Sequence, residues 1–265
     1  MRQWLIAILY LWLAGFAEAE PARPTVISLD YCADQYVLAL ADRSQILALS
    51  KDSERAFSHL REKAAGIPKV RGAAEDVIAL KPDIVLRSWG GDARALDLYD
   101  RLGIRTVELG YAGDIPGTAG LLRAVAAELG QAARAEEIIA AMPAARPASG
   151  REALYVTPGG VSAGKDTMID SLMAHAGLGN ANKAAGWTSL PLEQLVRAPP
   201  DLVLAAFFGF DDDATDRWSV SRHPVMARLL ASAQVVDLDE ARVSCSGWFV
   251  ADEAAAVAAN MEKRR

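Results

Sequence analysis

Two cysteines and three histidines carry most of the metal and nucleophile chemistry available to this chain: Cys32, Cys245, His59, His175 and His223. A structural zinc or iron–sulfur centre draws on about four such ligands at short spacings. Here they are scattered, with no H-E-x-x-H and no paired C-x-x-C run, so a metal centre built by the protein alone is not expected. Three readings of the thiols stand open: a disulfide, a pair of soft contacts to a metal in a bound complex, or two unpaired residues. Asp211, Asp212 and Asp213 could meet a hard cation, although an isolated acidic run is ordinarily a solvated loop. Gly159 to Asp166 nearly matches the phosphate-binding loop G-x-x-x-x-G-K-[ST]. Asp166 stands where a hydroxyl should reach magnesium, and its carboxylate would repel the phosphates, so the segment reads as a turn opening a helix.

Aromatic side chains in turns and at strand ends offer a different chemistry, that of a binding surface: Tyr31, Trp89, Tyr111, Trp187, Phe207, Phe208, Phe210, Trp218 and Trp248. The carboxyl ends of strands line the crevice of an open α/β sheet, which favours Trp89 after Ile84 to Leu86 and Phe207 after Leu202 to Leu204. Any one ring could equally be core, but Trp89 and Trp187 are the leading pocket residues, followed by Trp248, with Tyr31 and Tyr111 beside them. Flat rings suit a large planar or macrocyclic ligand.

The elements that must position these rings follow from a chain of 265 residues, 52% hydrophobic and 23% charged, which is ordinary globular composition. A net charge of -6 argues against a nucleic-acid partner. Glu75 to Leu86 aligns without a gap to Glu193 to Leu204, with five identities in twelve positions. Each copy reads as a short helix, a proline that stops it, and an apolar strand with no wet face. Further strands are expected at Thr25 to Leu29, Ile46 to Leu49, Arg105 to Leu109, Ala153 to Val156 and Gln234 to Leu238. The fold class is therefore α/β: two Rossmann-like lobes with parallel sheets and a ligand cleft between them. Residues 20–116 form the first lobe, 117–143 a single long connecting helix rich in Ala, Leu and Glu, and 144–265 the second lobe. The second copy carries an insertion that includes Phe207 to Trp218. Residues 1–19 read as a signal peptide: Arg2, an apolar run from Trp4 to Ala14, and a cleavage site at Ala17-Glu18-Ala19. The expected location is a bacterial periplasm, where an even cysteine count favours the disulfide.

With Val26-Ile27-Ser28-Leu29 opening the first lobe, the two Glu-to-Leu repeats, the connecting helix, and Ser162-Ala163-Gly164-Lys165-Asp166 followed by Ser171-Leu172-Met173, the whole mature chain resembles the substrate-binding proteins of ABC importers that carry iron-siderophore complexes, haem or cobalamin. The resemblance implies two lobes, a ligand in the cleft, limited closure on binding, and delivery to a membrane permease with its ATPase subunits. It also implies docking through Glu75 and Glu193, each meeting an arginine on one half of a two-fold permease. The sequence departs from the family where a Ser-Pro pair usually follows the first strand and this chain has Asp30-Tyr31-Cys32-Ala33-Asp34. It departs again at Val243 to Trp248, where relatives often present a polar pocket residue. Both departures fall on the cleft, adding Cys32 and Cys245 to the candidate ligand contacts.

The expected function is a monomeric periplasmic receptor, not an enzyme, with no cofactor of its own and with a ferric siderophore or corrinoid as its ligand. Haem ranks third because no Tyr-His or His-His pair is evident at matching cleft positions. The alternative is a secreted metal-cluster or thiol-redox protein on the same fold using Cys32 and Cys245. The missing C-x-x-C and the lack of a histidine beside either cysteine weaken it.

Overall fold

The computed structural model of the chain describes residues 23–190, 192–200, 202–207, 220 and 223–263. The expected signal peptide and nearly all of the Phe207 to Trp218 insertion lie outside the described residues. The apolar run Val26–Ser28 forms β1, and Asp30 caps the helix α1 (Tyr31–Leu40) by accepting the Ala33 N–H at 2.9 Å. The first lobe continues with β2 (Ile46–Ser50), β3 (Lys69–Val70), α2 (Ala74–Ile78), β4 (Ile84–Arg87), α3 (Ala93–Arg101) and β5 (Arg105–Glu108). These strands form one parallel sheet in the order β3-β2-β1-β4-β5.

The stretch expected to be one long helix is two: α4 (Ile115–Leu129) and α5 (Ala132–Ala141). Asp114 caps α4, Pro116 occupies its first turn, and Gly130 ends it at φ 68°, a left-handed conformation that suits glycine. The break is held from both sides. Gln131 donates to Gln45 Oε1 at 2.6 Å, Gln45 donates to the Leu129 carbonyl at 3.0 Å, and Arg123 grips Glu136 across the two helices with bonds of 2.7 and 3.0 Å.

The second lobe comprises β6 (Glu152–Val156), β7 (Val161–Ala163), α6 (Met168–His175), β8 (Gly179–Asn180), β9 (Trp187–Ser189), α7 (Leu192–Arg197), β10 (Leu202–Ala205), α8 (Pro224–Ser232), β11 (Gln234–Asp237), α9 (Glu240–Val243) and α10 (Val250–Lys263). Its parallel sheet has the order β11-β10-β6-β8, and β7 pairs antiparallel with β9. The two sheets and their helices are the α/β arrangement read from the sequence. The strands of the repeat hold equivalent places, β4 between β1 and β5, and β10 between β6 and β11.

Alternation along the strands explains why they read as continuously apolar. Val26, Ile84 and Leu86 face one core, while Ile27 and Val85 face a second under α2 and α3. Leu202 and Leu204 likewise face the first core, and Val203 a third that includes Leu195 and Met226. The first core is common to both lobes: Val37 of the first and Leu122 of the connecting segment pack in the same apolar body as Leu172 and Val257 of the second. Helices α1, α4, α6 and α10 thus form a layer between the sheets. Among the described residues, no helix is long and apolar enough to cross a membrane.

Candidate functional site

In the first lobe three chain reversals at the carboxyl ends of strands carry the expected aromatics. Tyr31 opens α1 directly after β1, Trp89 follows β4, and Tyr111 follows β5. Trp89 and Tyr111 are 53% and 72% exposed, unusual for rings of their size. Tyr31 is half-buried between two others, edge-on to Trp89 at 5.2 Å and to Phe57 at 4.6 Å, and the Arg55 guanidinium lies 5.8 Å above the Phe57 ring. A continuous aromatic wall with a cation at one end results. Burial, and then the charges of Asp30 and Asp52, push the Tyr31 hydroxyl above the ordinary tyrosine range, so it stays protonated. It donates to the Ser244 carbonyl of the second lobe at 3.4 Å.

The second lobe offers Trp187 on β9, 54% exposed and edge-on to the buried Tyr155 at 5.9 Å. Its hairpin is fixed by close backbone packing: the Gly164 N–H donates to the Gly186 carbonyl at 2.8 Å, and a Cβ at Gly164 would lie 2.0 Å from the Ala184 carbonyl oxygen. The stretch that imitated a phosphate loop is thus a strand and turn leading into α6. Thr167 caps that helix by accepting the Asp170 N–H.

The lobes meet where both sheets end. Cys32, in the first turn of α1, is joined by a disulfide to Cys245, which follows β11 and α9, with Cα atoms 5.7 Å apart. Around it Ser244 Oγ donates to the Phe57 carbonyl at 2.8 Å, Tyr36 donates to the Ser246 carbonyl at 3.4 Å, and His59 stacks on Phe249 at 4.4 Å. Burial, with Arg242 nearby, lowers the His59 pKa, which keeps the stacked ring neutral. A second junction lies at the start of α4, where the Ile115 N–H donates to Ser171 Oγ at 2.9 Å. These ties bring the carboxyl ends of the two sheets to the same crevice.

Three expected contacts with ligand need correction. Trp248 is only 9% exposed, edge-on to Tyr36 and to Phe249 at 5.1 Å each, so its indole fills the seam between the lobes and not an open wall. Cys32 and Cys245 are both buried and bonded to each other, leaving no thiolate to meet a metal complex. Glu75 and Glu193 are exposed in the first turns of α2 and α7. Among the described residues no group of three or more His, Cys, Asp or Glu side chains could hold a metal ion.

Sequence reading missed two buried carboxylates beneath this wall. Asp34 accepts from Ser28 Oγ, from Ser50 Oγ at 2.6 Å and from the Ser50 N–H at 2.9 Å, pinning the ends of β1 and β2 to α1. Burial outweighs these bonds and pushes its pKa up to about 6. Asp30 accepts the amides of Ser88, Trp89 and Gly90. The only trace of this in the sequence is an Asp between a strand and a helix, which announces a cap.

The site therefore combines exposed rings on both lobes with a core that the lobes share. Comparison with known proteins gives the same architecture. A periplasmic haem-binding protein from Pseudomonas aeruginosa superposes with a TM-score of 0.65 at 23% identity, covering 90% of this chain and 92% of its own. A component of an ABC-type Fe3+-hydroxamate transport system from Saccharomonospora viridis gives 0.62 at 16%, covering 91% and 93%. The vitamin B12 binding protein BtuF of Vibrio cholerae gives 0.60 at 14%, covering 91% and 97%. No curated protein matches the chain in sequence. The sequence profile of the periplasmic binding proteins, however, matches residues 26–207, from the first strand of one lobe to Phe207 just after β10 in the other, and this chain belongs to that family.

Proposed function

We propose that the chain is the periplasmic receptor of an ABC importer, that its ligand is a ferric siderophore or a corrinoid, and that it hands this ligand to a permease through Glu75 and Glu193. The observation that carries the reading is the set of exposed rings at the sheet ends: Trp89 and Tyr111 on one lobe and Trp187 on the other, with Tyr31 and Phe57 behind Trp89. Such walls suit a broad, mostly apolar-faced complex. A bare ion would need a cage of oxygen or nitrogen ligands. Solved neighbours named for haem, Fe3+-hydroxamate and vitamin B12 support the same ligand class. The apolar run after Arg2 and the Ala17-Glu18-Ala19 triplet support export and removal of residues 1–19. The thiol-redox alternative is not favoured, since both thiols are buried in one bond and the family is one of binding proteins.

The test is a tryptophan fluorescence titration of the mature protein with cyanocobalamin, a panel of ferric siderophores and haem, alongside intact mass spectrometry of the purified protein. Quenching by a siderophore or corrinoid at micromolar concentration is the expected result. Binding of none of these, with binding of a free metal ion or a small polar solute instead, refutes the ligand class.

A further inference from the structure

We infer that Asp30 is a positioning residue for the aromatic wall, its carboxylate serving as a built-in anion that holds the Trp89 turn in place. Asp30 is 4% exposed, and its two oxygens do separate work. Oδ1 accepts the Ala33 N–H at 2.9 Å and caps α1. Oδ2 accepts three successive amides of the turn after β4: Ser88 at 2.6 Å, Trp89 at 3.1 Å and Gly90 at 3.1 Å. Consecutive N–H groups converging on one point form a concavity that binds anions, and here the protein supplies the anion from the neighbouring strand end. Bonds to an ionised acceptor are roughly twice as strong as neutral ones.

The same carboxylate thereby sets two rings against each other. Tyr31 is the next residue along α1, Trp89 is the middle residue of the clamped turn, and their rings meet edge-on at 5.2 Å and 73°. The turn sits hard against β1, since a Cβ at Gly90 would lie 2.5 Å from the Leu29 carbonyl oxygen. That approach leaves no room for a water layer between the turn and the strand end. The backbone that carries the exposed Trp89 ring is therefore fixed from below, by Asp30 and Gly90, and the ring itself rests edge-on against Tyr31. The importance of that direction for ligand capture rests on the proposed function.

Asp30→Ser separates the two roles. Serine caps a helix about as well as aspartate, but its shorter side chain cannot also reach the Ser88 to Gly90 amides. In the ligand-free variant, hydrogen exchange of those three amides should accelerate by about tenfold or more while amides in β4 and α1 stay protected. The near-ultraviolet circular dichroism from the Tyr31 and Trp89 pair should fall. Formate at about 100 mM, which fits the vacated carboxylate position, should restore both signals, whereas chloride at equal ionic strength should not. Unchanged exchange at the three amides, or loss that formate does not reverse, overturns the clamp. If Asp30→Ser does not fold, Asp30→Asn enters the same exchange assay with the same expected acceleration. Because both readouts use the chain without ligand, failure of the clamp leaves the receptor reading intact. Failure of the receptor reading shows instead in the ligand panel.

Discussion

Breaking the bond between Cys32 and Cys245 tests the covalent tie across the crevice and gives a magnitude. The two residues are 213 apart in sequence, so the bond closes most of the 265-residue chain into one loop. The chain-entropy relation gives about 5 kcal/mol for a loop of this length, and native bonds commonly deliver about 2 to 5 kcal/mol. That is a large part of the roughly 5 to 15 kcal/mol that stabilises a typical folded protein. The expected state of purified protein is zero free thiols when it is denatured without reductant. The Cys32→Ala/Cys245→Ala double variant, which buries no hydroxyl at these sites, should unfold at a clearly lower denaturant concentration, with a loss of about 2 to 5 kcal/mol. The lobes should nonetheless stay associated, because Val37, Leu122, Leu172 and Val257 share one core that does not depend on the bond. Two free thiols per chain, or a double variant as stable as the parent, would refute the reasoning.

Asp34 gives a pH signature. Its pKa is raised from 3.8 to about 6, so the folded state holds a proton that the unfolded chain has already released. Its contribution is then full below pH 3.8 and declines as pH rises from there through about 6, a change on the order of 3 kcal/mol at 1.36 kcal/mol per unit. The difference in unfolding free energy between the parent and Asp34→Asn, measured from pH 4 to pH 7, should show this decline; a flat difference would contradict it. Trp89→Ala should weaken ligand binding by about 1 to 3 kcal/mol in the fluorescence titration, and an unchanged affinity would remove the ring from the site. Charge reversal at both Glu75 and Glu193 should abolish uptake in cells while leaving ligand affinity intact, and normal uptake would reject docking through them.

The layer between the sheets bears on how such a receptor would work. Lobes joined by a polar linker move freely, whereas a large apolar interface resists relative motion. Here four helices, a disulfide, the Tyr36 and Trp248 contact and the His59 and Phe249 stack all join the lobes at one seam. Ligand capture on such a frame would call for small shifts of rim side chains more than for a wide hinge. It also places the weight of specificity on how rigidly the rim rings are held.

How much of this was legible in the sequence depends on whether the signal was local. The repeat and the apolar strands were legible because burial on both faces of a parallel sheet leaves no polar position in Ile84-Val85-Leu86 or Leu202-Val203-Leu204. The break at Gly130 was less so. A glycine in an Ala-rich run costs only about 1 kcal/mol in a helix, and what ends α4 is the left-handed turn together with Gln45, a partner 86 residues away from Gln131. Trp89 and Tyr111 were visible as aromatics after strands and Trp187 as one shortly before a helix, yet Trp248, which also follows a strand, went to the seam. Its fate is set by Tyr36 in the other lobe, a contact that spacing along the chain does not encode. Asp30 was least legible of all. An Asp before a helix announces a cap, and the cap is there, but the second oxygen is committed to amides 58 to 60 residues away. A side chain with two acceptors can satisfy the local rule with one of them and build the site with the other, and only the fold reveals the second.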